Sequence, residues 1–256
     1  VLESLEVEYV EQAFDGGDHG GSERTAGGCR AGAEETDRAG GVKSSTGQSA
    51  EIVIVGAGTV GRLLALSLHG RVAGPVRVID GAAGPRPNDD IRAYSISAGL
   101  RRMLAVLGIW QRLEAYAQPV RAISITDGRL EDMIRPALLD FGDGEQAGDE
   151  PLVHFVLAGD LDRIVAEVCD EAGIAVEWAQ PVQALQLGEA GAMLATPDVT
   201  LSARLVIGAD GGRSTVRRLP GITRTGGPYR QTAIVAIIAH EMAHEERAIQ
   251  HFLPGG

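Results

Sequence analysis

From residue 51 onward, apolar and polar positions fall into short, well-marked blocks. Residues 51–55, Glu-Ile-Val-Ile-Val, form a β-branched apolar run, the pattern of a strand buried on both faces. Residues 62–69 put Leu63, Leu64, Leu66 and Leu68 on or near one side of a helix, and Gly70 supplies its stop. A second strand is predicted over 75–80. Between the first strand and the helix lies Gly56-Ala57-Gly58-Thr59-Val60-Gly61. Strand, glycine turn, helix and strand make a βαβ opening.

Residues 81–90 carry two prolines and two glycines and read as a loop. Helices are predicted over 98–107 and 109–117, and strands over 120–126, 134–142 and 152–157. Leu161, Ile164, Val165 and Val168 recur at helical spacing within 161–172, and 174–178 is strand-like. Runs at 182–187, 192–195 and 199–201 suggest an antiparallel meander. Residues 204–208 form another buried strand, ending at Ala209-Asp210-Gly211-Gly212 ahead of a short helix over 213–218. Strands over 232–239 and 248–253 close the chain. No internal repeat is visible. The expected class is mixed α/β.

Residues 1–50 break this pattern. Within 15–50 Val42 is the one strongly apolar aliphatic residue, and no aromatic occurs. Ten glycines fall in 1–50. Such a stretch cannot bury enough surface to offset its ordering entropy and is expected to be disordered. Leu2, Leu5, Val10 and Phe14 hint at a short amphipathic helix ahead of it, too short to be stable alone. Order is expected to begin at Glu51.

The chain has 256 residues, 44% hydrophobic and 23% charged, enough for one large or two modest domains. The longest strongly apolar run, 233–239, is too short to span a bilayer, so no transmembrane segment is expected. Two cysteines, Cys29 and Cys169, make neither a disulfide framework nor a zinc cluster, which fits a reducing cytoplasm. The net charge of −12 argues against a nucleic-acid partner, because phosphates demand a basic footprint. Half of it, −6, sits in residues 1–50, so the acidity belongs mostly to the extension.

Gly56, Gly58 and Gly61 give G-x-G-x-x-G between a strand and a helix. The first glycine permits the tight turn, the second lets the backbone approach a pyrophosphate, and the third lets helix and strand pack closely. The helix N-terminus adds free N–H groups and a positive dipole end. Asp80, 19 residues after Gly61 at the end of the second strand, can accept hydrogen bonds from the ribose hydroxyls of an adenosine. FAD and NAD satisfy this element equally well.

A second strand-turn, Gly208-Ala209-Asp210-Gly211-Gly212-Arg213-Ser214 with Arg217 beyond it, follows about 150 residues later. Here the chain resembles the flavin-dependent aromatic hydroxylases, more narrowly the ubiquinone-biosynthesis branch. Four stretches carry the resemblance: 52–61; Asp90-Ile91-Arg92-Ala93-Tyr94-Ser95-Ile96-Ser97 followed by Leu104, Leu107, Gly108 and Trp110; 208–217; and Tyr229, Gln231, 233–235, His240, Glu241, His244, Gln250, Phe252, Leu253 and Pro254.

The resemblance implies a Rossmann-like nucleotide-binding domain, about 51–118 and 155–220, interleaved with a β-sheet substrate domain, about 119–154 and 221–256. It implies bound FAD, reduced by NAD(P)H, with oxygen adding to form a flavin hydroperoxide that hydroxylates an aromatic ring. The implied substrate is a polyprenylated ubiquinone precursor, which the protein would meet at a membrane face or in a biosynthetic complex, though no anchor is visible in the sequence. By position, Gly56, Gly58, Gly61 and Asp80 would hold the ADP part of FAD, Arg92 would lie beside the flavin or its phosphates, and Asp210 and Gly211 would lie near the pyrophosphate and the nicotinamide donor. No catalytic side chain is assigned. A different FAD- or NAD(P)-linked oxidoreductase and an inactive relative stay open as alternatives.

Three departures stand against the family pattern. Its third motif, Gly-Asp followed by Ala-Ala-His, would come after the last residue, so a missing C-terminal portion is expected. Leu157-Ala158-Gly159, followed by Asp160-Leu161, stands where the family has Glu-Asn-Arg, so an arginine expected near the flavin is lacking. The acidic extension has no counterpart.

His240-Glu241-Met242-Ala243-His244 matches H-E-x-x-H, which on a helix would bind zinc. The extended form of that motif needs glycine at 247 and histidine at 250, where the chain has Arg247 and Gln250. The apolar run ahead of it favours a strand, and no metal is expected. Trp110, Trp178 and Cys169 are expected in the core.

Overall fold

The computed structural model describes residues 48–87, 89–129, 131–134, 136–142, 150–227 and 232–254. Most of the acidic extension, the short helix expected at its start, Cys29, Tyr229 and Gln231 lie outside the described residues.

The central sheet grows from β1 (Gln48–Val55), which is followed by α1 (Thr59–Leu68) and β2 (Val76–Ile79). β1 starts three residues ahead of Glu51. Its first residues, Gln48 and Ser49, are exposed, but they find ladder partners in Leu201 and Ser202. β1 reads as buried because both its faces are covered. Ile52 and Ile54 face a cluster with Ala65 of α1, whereas Val53 and Val55 face Leu194 and Leu201.

β3 (Ala93–Ser97) precedes α2 (Ala98–Val106) and α3 (Trp110–Leu113), which a 3₁₀ turn at Glu114–Tyr116 extends. Then come β4 (Gln118–Val120), β5 (Ala122–Asp127), β6 (Ala137–Phe141) and β7 (Val153–Leu157). α4 (Ala158–Glu171) leads to β8 (Val176–Glu177). β9 (Ala184–Gly188), β10 (Gly191–Ala195) and β11 (Thr200–Gly208) form the meander, followed by α5 (Thr215–Arg218) and β12 (Arg247–Phe252).

Three sheets result. The six-stranded one runs β8-β2-β1-β11-β10-β9, with the first four strands parallel. The others run β12-β5-β6 and β3-β7-β4. α1 and α4 pack together, and α4 also packs with α3 over a core of Leu104, Ile109, Leu113, Ile164 and Val165.

Two sequence expectations are corrected. Residues 199–201 and 204–208 are one strand, not two. Leu201 and Ala203 are buried while Ser202 and Arg204 face outward, so the polar residues mark the solvent face of a continuous strand and not a break. Residues 232–239 form no strand; Ile234 and Ile238 are exposed. Apolar residues alone do not make a strand: the segment must also bond to a neighbouring edge, and none of the strand ladders among the described residues includes 232–239.

Cys169 sits at 1% exposure on α4, its Sγ 3.6 Å from the Arg62 carbonyl oxygen. Burial pushes its thiol up to about 11, so it stays protonated and inert at neutral pH. In a Cys29→Ser variant, which isolates this thiol, a disulfide reagent at pH 7.5 is expected to label nothing until denaturant is added. Rapid labelling of the folded chain would contradict this burial.

Candidate functional site

The parallel strands β2, β1 and β11 lie side by side, and their carboxyl ends carry three loops. In an open α/β sheet this edge is where ligands bind. Each loop has a chemical reason for its shape.

The glycine turn leaves β1 at Gly56, where φ is +109°, a backbone conformation that L side chains rarely adopt. A Cβ there would lie 2.4 Å from the Ala209 carbonyl oxygen. At Gly61 a Cβ would lie 1.8 Å from the Gly56 carbonyl oxygen, so the helix meets the turn with no room for a side chain. Gly58 differs. Its φ is −71°, and a Cβ would meet no atom within 4 Å. Nothing in the fold requires glycine there; what the bare backbone leaves is open space before α1. No side chain caps α1 and no acidic residue stands in its first turn, so its first N–H groups and positive dipole end remain available to an anion.

Asp80 closes the turn from the side. Its Oδ2 accepts from Ala57 N–H at 2.7 Å and its Oδ1 from Ala82 N–H at 2.8 Å. Each carboxylate oxygen has a second lone pair, so ribose hydroxyls can still be accepted. Gly58, Asp80, Arg62, Asp162, Arg163 and Trp178 line one cleft of about 270 Å³. The glycine turn, the acid and the cleft fit an ADP group.

Arg92 is locked to Asp90, which accepts from its Nε at 2.8 Å. The Asp90 carboxylate raises the guanidinium above its ordinary range, with Asp162 adding a smaller pull in the same direction, so Arg92 is permanently cationic. Asp162 in turn accepts from the Thr59 hydroxyl at the start of α1. The Arg92 carbonyl accepts from Ala158 N–H at 2.7 Å and the Asp90 carbonyl from Gly159 N–H at 3.1 Å. These two backbone bonds tie the start of α4 to the Asp90–Arg92 loop, and they do not depend on which side chains stand at 158 and 159.

The second strand-turn lies directly against the first: Ala209 N–H donates to the Val55 carbonyl at 2.7 Å. Gly211 turns there with φ +80°. Asp210 braces the turn. Its Oδ1 accepts from the Ser214 hydroxyl, and its Oδ2 accepts from Thr215 N–H at 2.6 Å and Val216 N–H at 3.2 Å. It is a cap for α5 that holds the turn in place. Asp210→Ala is expected to lower unfolding stability by about 1–2 kcal/mol, read as a lower urea midpoint without ligand. An unchanged midpoint would contradict the capping role.

Trp178, expected in the core, does pack part-buried against the cluster of Ile52, Ile54 and Ala65, and it also lines the cleft beside Asp80. The signal was available: a strand predicted over 174–178 ends on this tryptophan, and the carboxyl ends of parallel strands are where ligands sit. Trp110 is buried as expected. Residues 240–244 are not helical, so the one-turn spacing of a zinc H-E-x-x-H is not formed. Instead His244 Nδ1 accepts from Glu246 N–H at 2.9 Å, and Glu246 pairs with Arg121 in the turn into β12.

Comparison with known proteins agrees with this geometry. A family model described as FAD binding domain matches residues 49–254. The chain is 35% identical over 225 residues to ubiquinone hydroxylase UbiL of Rhodospirillum rubrum, covering 84% of this chain and 49% of that protein. It is 29% identical over 236 residues to 3-demethoxyubiquinol 3-hydroxylase of Escherichia coli, covering 82% of this chain and 54% of the relative. The chain spans about half the length of the curated relatives it matches. Among solved structures, PqsL, a probable FAD-dependent monooxygenase from Pseudomonas aeruginosa, superposes with TM-score 0.57 at 24% identity, over 71% of this chain and 48% of that one. p-Nitrophenol 4-monooxygenase PnpA from Pseudomonas putida gives 0.56 at 22%, over 68% and 44%. These two likenesses are of fold.

Proposed function

The chain belongs to the FAD-binding-domain family, and from that premise we propose that it serves a flavin-dependent monooxygenase that hydroxylates an aromatic ring of a polyprenylated ubiquinone precursor. The observation that carries the nucleotide part is Gly58, sterically free to be any residue yet glycine, opening onto the cleft that Asp80 and the bare N-terminus of α1 share. The substrate class rests on the similarity to the two ubiquinone hydroxylases.

FAD, when bound, supplies two-electron chemistry with NAD(P)H and the activation of oxygen. The protein's part is orientation. The Gly58 backbone and the first N–H groups of α1 hold the diphosphate. Asp80 takes the adenosine ribose, selecting hydroxyls over a ribose phosphate by charge. Arg92, cationic and held by Asp90, would lie beside the flavin or its phosphates, as its position in the family pattern implies. Asp210 and Gly211 shape the turn beside it. A nucleotide-binding part at about 51–118 and 155–220 and a substrate sheet at about 119–154 and 221–256 complete the proposal. With a polyprenyl substrate goes contact with a membrane surface or with biosynthetic partners; no helix among the described residues is long and apolar enough to cross a membrane.

The test is NAD(P)H oxidation by the FAD-loaded chain with and without an aromatic quinone precursor, in labelled O₂. Substrate-stimulated oxidation with one labelled oxygen in the product is expected. Stimulated oxidation without oxygen incorporation would instead indicate a different oxidoreductase.

A further inference from the structure

Trp178 has no part in the glycine turn, yet its position is fixed with unusual care. Three backbone hydrogen bonds join the loop after β8 to the loop after β2: Asp80 N–H to the Glu177 carbonyl at 2.9 Å, Gln180 N–H to the Asp80 carbonyl at 2.8 Å, and Ala179 N–H to the Ala82 carbonyl at 2.7 Å. Ala179, directly after the tryptophan, takes φ +56°, a conformation that costs a non-glycine residue energy and persists where its surroundings impose it. The indole packs against the Ile52, Ile54 and Ala65 cluster yet also lines the cleft. The Arg62 guanidinium carbon stands 5.8 Å from the centre of its ring, and Arg62 lines the same cleft.

A part-open indole in a polar cleft, paired with a planar cation and held beside a carboxylate suited to ribose, is a wall for a flat aromatic base. Bases stack on tryptophan faces and guanidinium planes alike, without needing hydrogen-bond readout. The cleft of about 270 Å³ is at the small end for ligand pockets, a size for a nucleoside and not a whole dinucleotide. We infer that the Trp178–Arg62 pair is the stacking wall for the adenine of the bound dinucleotide, with Trp178 contributing affinity through stacking and not choice of base. This rests on the FAD reading above.

The experiment is titration of the flavin-free full chain with ADP and with FAD, read by calorimetry and by tryptophan fluorescence, for wild type, Trp178→Ala, Trp178→Phe and Arg62→Ala. Thermal melts confirm that each variant is folded. Trp178→Ala is expected to weaken both ligands about 10- to 100-fold. Trp178→Phe should restore most of that loss, which a merely space-filling role on the core side would not distinguish from other apolar residues, so Trp178→Leu is included and should not rescue. Arg62→Ala should weaken binding in the same sense by a smaller factor. ADP should quench the wild-type fluorescence, and the quench should vanish in Trp178→Phe, since Trp110 is buried in a different cluster. Unchanged ADP and FAD affinity in folded Trp178→Ala, or full rescue by leucine, overturns the stacking wall and leaves the FAD reading standing. A folded wild type that binds neither ligand overturns both.

Discussion

Replacing Gly58 with valine is expected to leave the fold in place and weaken FAD binding about 100-fold or more, whereas Gly61→Ala is expected to damage the fold itself. The two glycines look alike in the motif but face different obstacles. A side chain at Gly58 meets no protein atom within 4 Å, and its φ of −71° suits any residue. The cost to stability should stay within about 1 kcal/mol, the price of a poorer residue at a helix start. What the side chain fills is the space through which a diphosphate reaches the backbone. At Gly61 even one methyl would sit 1.8 Å from the Gly56 carbonyl oxygen. That obstacle is backbone, which cannot swing aside, so turn and helix must separate. A loss of about 3 kcal/mol or more is expected, or roughly 10 °C in melting temperature. Melting curves and FAD titrations of both variants check this. Equal melting temperatures for the two would contradict the packing assigned to Gly61.

Asp80→Ala is expected to show both effects together. Its carboxylate is the acceptor for Ala57 N–H and Ala82 N–H, and Ala57 is 4% exposed, so removal strands a buried donor. Hydrogen bonds to a charged group contribute about 1.5–3 kcal/mol each, and a loss of about 2 kcal/mol in folding stability is expected without ligand. FAD affinity should fall about 10- to 100-fold, because the ribose acceptor disappears while the glycine turn loses its brace. Asp80→Asn keeps one acceptor oxygen and should recover part of both. Urea unfolding of the ligand-free chain separates the brace from the ligand contact. A variant with unchanged stability and unchanged affinity would remove Asp80 from the site.

The parts of this site that could be read from the chain are local. Gly56 to Gly61 and Asp80 lie within one βαβ unit, where strand, turn and helix spacings leave one arrangement, and the apolar run at 52–55 marks the strand buried on both faces. Asp210 was legible as a turn acid after a strand; that both its oxygens face α5 depends on where a four-residue helix settles. Trp178 was legible as the end of a strand. Its place beside Asp80 was not, because pairing of β8 with β2 joins residues about 100 positions apart. The same holds for β11, which β1 pairs along 201–208 while β10 also pairs its first residues, 200–203. The apolar run at 232–239 misled for the converse reason. Composition reports what a segment could bury, and none of the strand ladders among the described residues includes this one.

The central claim is that this chain carries a working FAD site at the carboxyl ends of β1 and β2. The most direct measurement is the flavin content of the purified, folded chain after incubation with FAD and gel filtration. About one flavin per chain should elute with wild-type protein, and Gly58→Val should lose it while melting nearly as wild type. Flavin that separates completely from folded wild-type chain would contradict the account.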